Sequence, residues 1–144
     1  MGWFSKKKEN KDNTKPNNMS PLEAVTHLCA SIQLADGKLD YEERSAWIDA
    51  IRQLFPEFRE ERADKFLKEA QHVLQEKNGE DKKNYIIDLL SRIKSLLDDN
   101  QIKILGPKIT ELIESDGIVM TSEVEIAKLI ESELGISIIL DDNI

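Results

Sequence analysis

From Ser20 onward the apolar residues return every three or four positions, the repeat of helices that each bury one face. Ser20-Pro21-Leu22-Glu23 supplies a capping serine, a proline at the first helical position and a glutamate at the third. Leu22, Val25, Cys29 and Ile32 then form one apolar stripe, and Asp36-Gly37 marks the stop, because glycine takes the left-handed conformation that ends a helix. A second helix opens at Asp40, with Glu43 completing another capping box, and carries Trp47, Ile48, Ile51, Leu54 and Phe55 until Pro56. The third is expected from about Glu57 to Lys77, ending at Asn78-Gly79, and the fourth from about Asp81 to Leu97. A fifth spans roughly Asn100–Ser115; Pro107 has no N–H for the carbonyl of Lys103, so Gly106-Pro107 predicts a kink or an interruption. The sixth starts near Ser122 and stops at Gly135, and the β-branched tail Ile136–Ile144 reads as a flap on the core. No stretch alternates as a half-buried strand would. The pattern predicts an all-α single helical domain.

The first and last helix pairs match when the chain is shifted by 80 residues. Leu22 falls on Ile102, Val25 on Leu105, Cys29 on Ile109 and Ile32 on Leu112. Asp36-Gly37 meets Asp116-Gly117, Leu39 meets Val119, and Glu43 meets Glu123. Helical spacing alone produces some apolar matches, but not an Asp-Gly, an apolar residue and a Glu at shared offsets. The expectation is an internally duplicated helical hairpin around a central pair, with Leu39 and Val119 capping the core at equivalent places.

Composition narrows the class. The chain has 144 residues, 40% hydrophobic and 33% charged, with a formal charge of −8. That length suits one domain, and an acidic body argues against sequence-independent nucleic-acid binding. Residues 1–19 form a lysine-rich arm in which Lys6, Lys7, Lys8, Lys11 and Lys15 outweigh Glu9 and Asp12. With so little to bury, the arm is expected to be disordered, and residues 20–144 to be the helical domain. Trp3 and Phe4 beside three lysines offer a weak contact with an anionic membrane surface; a solvated tail is the competing reading. The start Met1-Gly2-Trp3-Phe4-Ser5-Lys6 is neither a secretory signal nor a good acylation site.

Candidate chemistry is concentrated in the two Asp-Gly loops. Asp36, Gly37, Asp40 and Glu43 would fill positions 5, 6, 9 and 12 of an EF-hand loop, but Ile32 and Leu34 stand where positions 1 and 3 need oxygen ligands. The second copy keeps Asp116, Gly117 and Glu123, with Met120 at position 9. Each loop alone offers too few oxygens for a hard cation; two facing half-sites would offer enough. Asp-Gly is also an ordinary helix stop and Asp40…Glu43 an ordinary capping box, so both readings stay open. Cys29, the lone cysteine, sits on an apolar stripe and reads as a buried, inert thiol. His27 and His72 have no Cys or His at zinc-ligand spacing, and Trp47, Phe55, Phe58 and Phe66 lie at core spacing. No phosphate loop, dinucleotide fingerprint or nucleophile elbow is present, so a non-enzymatic protein is expected.

The stretch Leu34-Ala35-Asp36-Gly37-Lys38-Leu39-Asp40-Tyr41-Glu42-Glu43-Arg44 resembles the signature of the tellurite-resistance TerB family, shared by the amino-terminal domain of DjlA-type co-chaperones. Ile113-Glu114-Ser115-Asp116-Gly117 through Glu123 resembles a second copy, with Ser115 in place of Ala and Ser122 in place of the first Glu of the pair. The similarity covers about residues 20–135 and includes no His-Pro-Asp triplet of a J-domain. It implies an α-helical, pseudo-twofold fold with acidic residues proposed to hold a divalent cation, and a role in stress response. Carried over by position, the metal ligands are Asp36, Glu43, Asp116 and Glu123, with Ca²⁺ or Mg²⁺ as the ion. The expected protein is a cytoplasmic module working through protein partners. A metal-free structural adaptor and a membrane-peripheral protein are the alternatives.

Overall fold

A computed structural model describes residues 15–33, 41–114 and 121–138, with the side chains of residues 41–46 outside the description. Six α-helices fill these segments: α1 (Pro21–Gln33), α2 (Tyr41–Leu54), α3 (Glu60–Gln75), α4 (Gly79–Leu96), α5 (Asp99–Glu114) and α6 (Thr121–Leu134). No strand occurs among the described residues. The domain is all-α, as the periodicity predicts.

Local chemistry sets the helix ends. The Ser20 hydroxyl accepts from the Glu23 N–H at 3.2 Å, which starts α1 where the capping residues place it. Asn78-Gly79, expected to close the third helix, opens the fourth instead: Asn78 Oδ1 accepts from Asp81 N at 2.9 Å, with Gly79 as the first helical residue. Asp98 and Gln101 form a reciprocal capping box, each side chain accepting from the other's backbone N–H at 2.8 and 3.0 Å. Gly135, at φ +68°, ends α6 in the left-handed conformation. Pro107 lies inside α5 without interrupting it. Pro107 and Lys103 are both exposed, so the carbonyl deprived of a donor lies on the solvent side.

The core is built around α1. It packs on α3 and α4, and also on α2 and α5; α2 packs on α5, and α6 on α4. Every residue from Ala24 to Gln33 is buried, so beyond its first turn α1 has no solvent face. The stripe Val25, Cys29 and Ile32 is in the core as expected, together with Trp47, Ile51, Leu89, Ile93, Leu105 and Ile109. Phe55 and Phe58 pack partly buried against it. Phe66 is only half-buried, with the Arg62 guanidinium 5.7 Å from its ring centroid.

The bounds of α2 and α6 differ by the expected 80 residues at both ends. Their surroundings do not repeat: α1 packs on α3 and α4, whereas its counterpart α5 packs mainly on α2. The duplication is therefore not shown among the described residues. Leu39 and Val119 lie outside them.

Both ends of the domain carry a segment folded back on the helices. Pro16–Asn18 forms a 3₁₀ turn against α4, Pro16 and Met19 are buried, and Arg92 Nε donates to the Met19 carbonyl at 3.0 Å. Residues 15–19 of the stretch expected to be an arm are thus packed on the helices, because Met19 has apolar surface to bury; residues 1–14 lie outside the described residues. At the other end Ile138 is buried and Ile136 packs beside Gly106; the rest of the tail expected to form a flap, residues 139–144, lies outside the described residues.

Candidate functional site

Of the four residues singled out as cation ligands, Asp36 and Asp116 lie outside the described residues, as does the side chain of Glu43 near the start of α2. Glu123 is described. It occupies the first turn of α6 and is 8% exposed. No other carboxylate among the described residues is buried to that degree.

A second constellation centres on His27, which is fully buried within α1. Its Nδ1 lies 2.6 Å from the Tyr85 hydroxyl on α4, and its Nε2 lies 3.1 Å from Glu69 Oε1 on α3. Glu23, one helical turn before His27, presents its carboxyl to Glu69. One donor atom each from Glu23, His27 and Glu69 fall within 4.8 Å of one another. The burial of α1 explains the arrangement. A polar group on an all-round buried helix must find its partners on the neighbours. Thr26 and Ser31 instead turn back to carbonyls of their own helix, those of Leu22 and His27, at 2.7 and 2.8 Å.

The electrostatics follow from desolvation. Burial pushes the His27 imidazolium down to about 4, so the ring is neutral at physiological pH. Burial, then the hydrogen bond and negative charge of Glu23, push the Glu69 carboxyl up to about 8, against a smaller opposite pull from Lys65. His27 and Glu69 therefore form a neutral hydrogen bond rather than an ion pair. The Nε2–H tautomer satisfies the chain of groups: Tyr85 O–H donates to Nδ1, Nε2–H donates to Glu69, and Glu69 shares its proton with Glu23. Burial and the two glutamates also raise the Tyr85 phenol, and Lys77 Nζ sits 5.0 Å from its ring centroid.

Cys29 faces the same core. Burial raises its thiol to about 12, which makes it unreactive at neutral pH. His72 is exposed, with Glu76 at 3.9 Å, and joins no cluster among the described residues.

Two clefts lie nearby. The one lined by Tyr85, Lys77, Asp88 and Arg92 encloses about 1140 Å³ and reaches the tyrosine end of the cluster. The other, about 690 Å³, runs between α4 and α6 over Leu74, Ile86, Ile126 and Leu129, with Lys82 and Lys128 at its edge.

His27 has no histidine or cysteine at zinc-ligand spacing in the sequence; its partners are carboxylates and a phenol. The Glu23…His27 spacing of four was readable as one helix face. Glu69 and Tyr85 carry no local signal. No protein-family model, curated protein or solved structure matches the chain.

Proposed function

We propose that this chain is a TerB-like helical module of the cytoplasm that binds a divalent cation through Asp36, Glu43, Asp116 and Glu123, and acts through protein partners in a stress response. The observation that supports the reading is Glu123, a carboxylate buried to 8% exposure in the first turn after the second Asp-Gly loop. A buried carboxylate requires hydrogen-bonding or cationic partners to offset its lost hydration. The two loops follow α1 and α5, which pack against each other. Oxygen ligands alone select Ca²⁺ or Mg²⁺ over softer metals. No helix among the described residues is long and apolar enough to cross a membrane.

Thermal melting tests the reading. At a free-ion concentration about 100 times the dissociation constant, binding stabilises the fold by about 2.7 kcal/mol. For a chain of this size that is a rise of about 5–10 °C. Chelated protein should show this rise with Ca²⁺, Mg²⁺ or Mn²⁺, and Asp36→Asn or Asp116→Asn should remove most of it. No shift at millimolar ion would leave the Asp-Gly loops as turns only.

A further inference from the structure

We propose that Glu23, His27 and Glu69 form a separate metal site that takes a first-row transition-metal dication of the zinc class, through one imidazole nitrogen and two carboxylate oxygens. It shares no residue with the Asp-Gly loops and uses a donor that those loops lack.

The spacing of the donors suits the metal. Zinc holds nitrogen and oxygen ligands at about 2.0–2.2 Å, so neighbouring donors of a tetrahedral site stand about 3.3 Å apart. His27 Nε2 and Glu69 Oε1 are already 3.1 Å apart, and the Glu23 oxygen completes a triangle with no side over 4.8 Å. Closing the remaining gap takes rotamer adjustments of Glu23 and Glu69, which are only partly buried, while the ring of His27 stays fixed in the core. Two of the donors sit one turn apart on α1 and the third on α3, which packs directly on it, so the triangle is held by rigid elements.

The surroundings of the ring are those of a ligating histidine. Such a histidine gives one nitrogen to the metal and donates the other N–H to an oxygen that fixes its orientation. Tyr85 Oη at 2.6 Å from Nδ1 is such an oxygen. Moving the ring proton from Nε2 to Nδ1 frees the Nε2 lone pair, and the Tyr85 hydroxyl changes from donor to acceptor. The ring is already neutral in the fold, the form that binds metal. A dication would take the place of the proton that Glu69 shares with Glu23, releasing it to solvent and attracting both carboxylates. An imidazole favours zinc, cobalt or iron over Ca²⁺ and Mg²⁺. Three protein ligands leave a fourth position for a water, and the Glu69 side chain is 27% exposed to solvent.

Cobalt(II) is the probe, because its visible ligand-field absorption reports low-coordinate nitrogen and oxygen ligation. The full chain, chelated and dialysed, should develop such absorption with an end point of one Co²⁺ per chain, and Zn²⁺ should abolish it. His27→Gln and Glu69→Gln should each weaken Co²⁺ binding by tenfold or more, and Tyr85→Phe by about tenfold through the lost orientation of the ring. Glu69 is partly exposed, so its glutamine variant is expected to fold and decides the matter if His27→Gln does not; circular dichroism checks each. The double variant Asp36→Asn, Asp116→Asn should leave the absorption unchanged, which separates this site from the loop site. A spectrum that remains that of the hydrated ion, a band that survives in Glu69→Gln, or a band lost in the double loop variant overturns the proposal.

Discussion

His27 Nδ1 and the Tyr85 hydroxyl stand 2.6 Å apart across 58 residues of sequence, tying the middle of α1 to α4 inside the core. The rings are tilted by 44° with centroids 6.1 Å apart, so the contact is a directed hydrogen bond rather than a stack. An imidazole nitrogen at 0% exposure has no water to replace that partner.

Tyr85→Phe should therefore cost more than the loss of one exposed hydrogen bond. Leaving a buried polar atom unsatisfied costs about 1–3 kcal/mol. The urea midpoint should fall accordingly with the slope unchanged, since the surface exposed on unfolding is the same. An unchanged midpoint would mean that Nδ1 does not depend on the hydroxyl.

The cluster predicts a pH dependence with two opposing parts. His27 is held down to about 4 against an ordinary 6.5, so between those values the unfolded chain binds more protons and stability rises with pH. Glu69 is pushed up to about 8 against 4.5, so between those values the folded chain binds more protons and stability falls as pH rises. The two oppose each other from about 4.5 to 6.5, and Glu69 acts alone from 6.5 to 8. Urea midpoints of chelated protein should be nearly flat in the lower window and decline in the upper one. Glu69→Gln should abolish the decline.

Cys29 should resist thiol reagents in the native state. A thiol that is fully buried and raised to about 12 offers almost no thiolate at neutral pH. Labelling with an aromatic disulfide should appear only as urea unfolds the chain, with the same midpoint as the loss of helical circular dichroism. Fast labelling in buffer would contradict the packing of α1.

Two glycines with open surroundings should respond to alanine in opposite directions. Neither Gly79 nor Gly135 has an atom within 4 Å of an added Cβ. Gly135 sits at φ +68°, where an L side chain is strained, so Gly135→Ala should destabilise by about 1 kcal/mol. Gly79 begins α4 without a positive φ, so Gly79→Ala should stabilise by about 0.4–1 kcal/mol through the lower entropy of the unfolded chain. Thermal melts of the two variants compare them directly.

The helices, the Ser20 cap, the stop at Gly135 and the buried Cys29 were legible in the sequence. Each depends on residues three or four positions apart, where the chemistry of the chain itself sets the structure. The reciprocal box of Asp98 and Gln101 follows the same local rule. Asn78 misled because a short polar residue followed by glycine serves equally well to end one helix or begin the next. Its side chain accepting from Asp81 decided the matter.

Tertiary structure decided the rest. An apolar stripe of Leu22, Val25, Cys29 and Ile32 describes a helix with one buried face. Packing by α2, α3, α4 and α5 buried every face of α1 and took His27 with it. No spacing along the chain brings residue 27 to residues 69 and 85, because their meeting depends on how helices remote in sequence cross. Periodicity is a property of each helix alone, so it determined the six helices; the partners of a buried imidazole belong to the packed assembly of them.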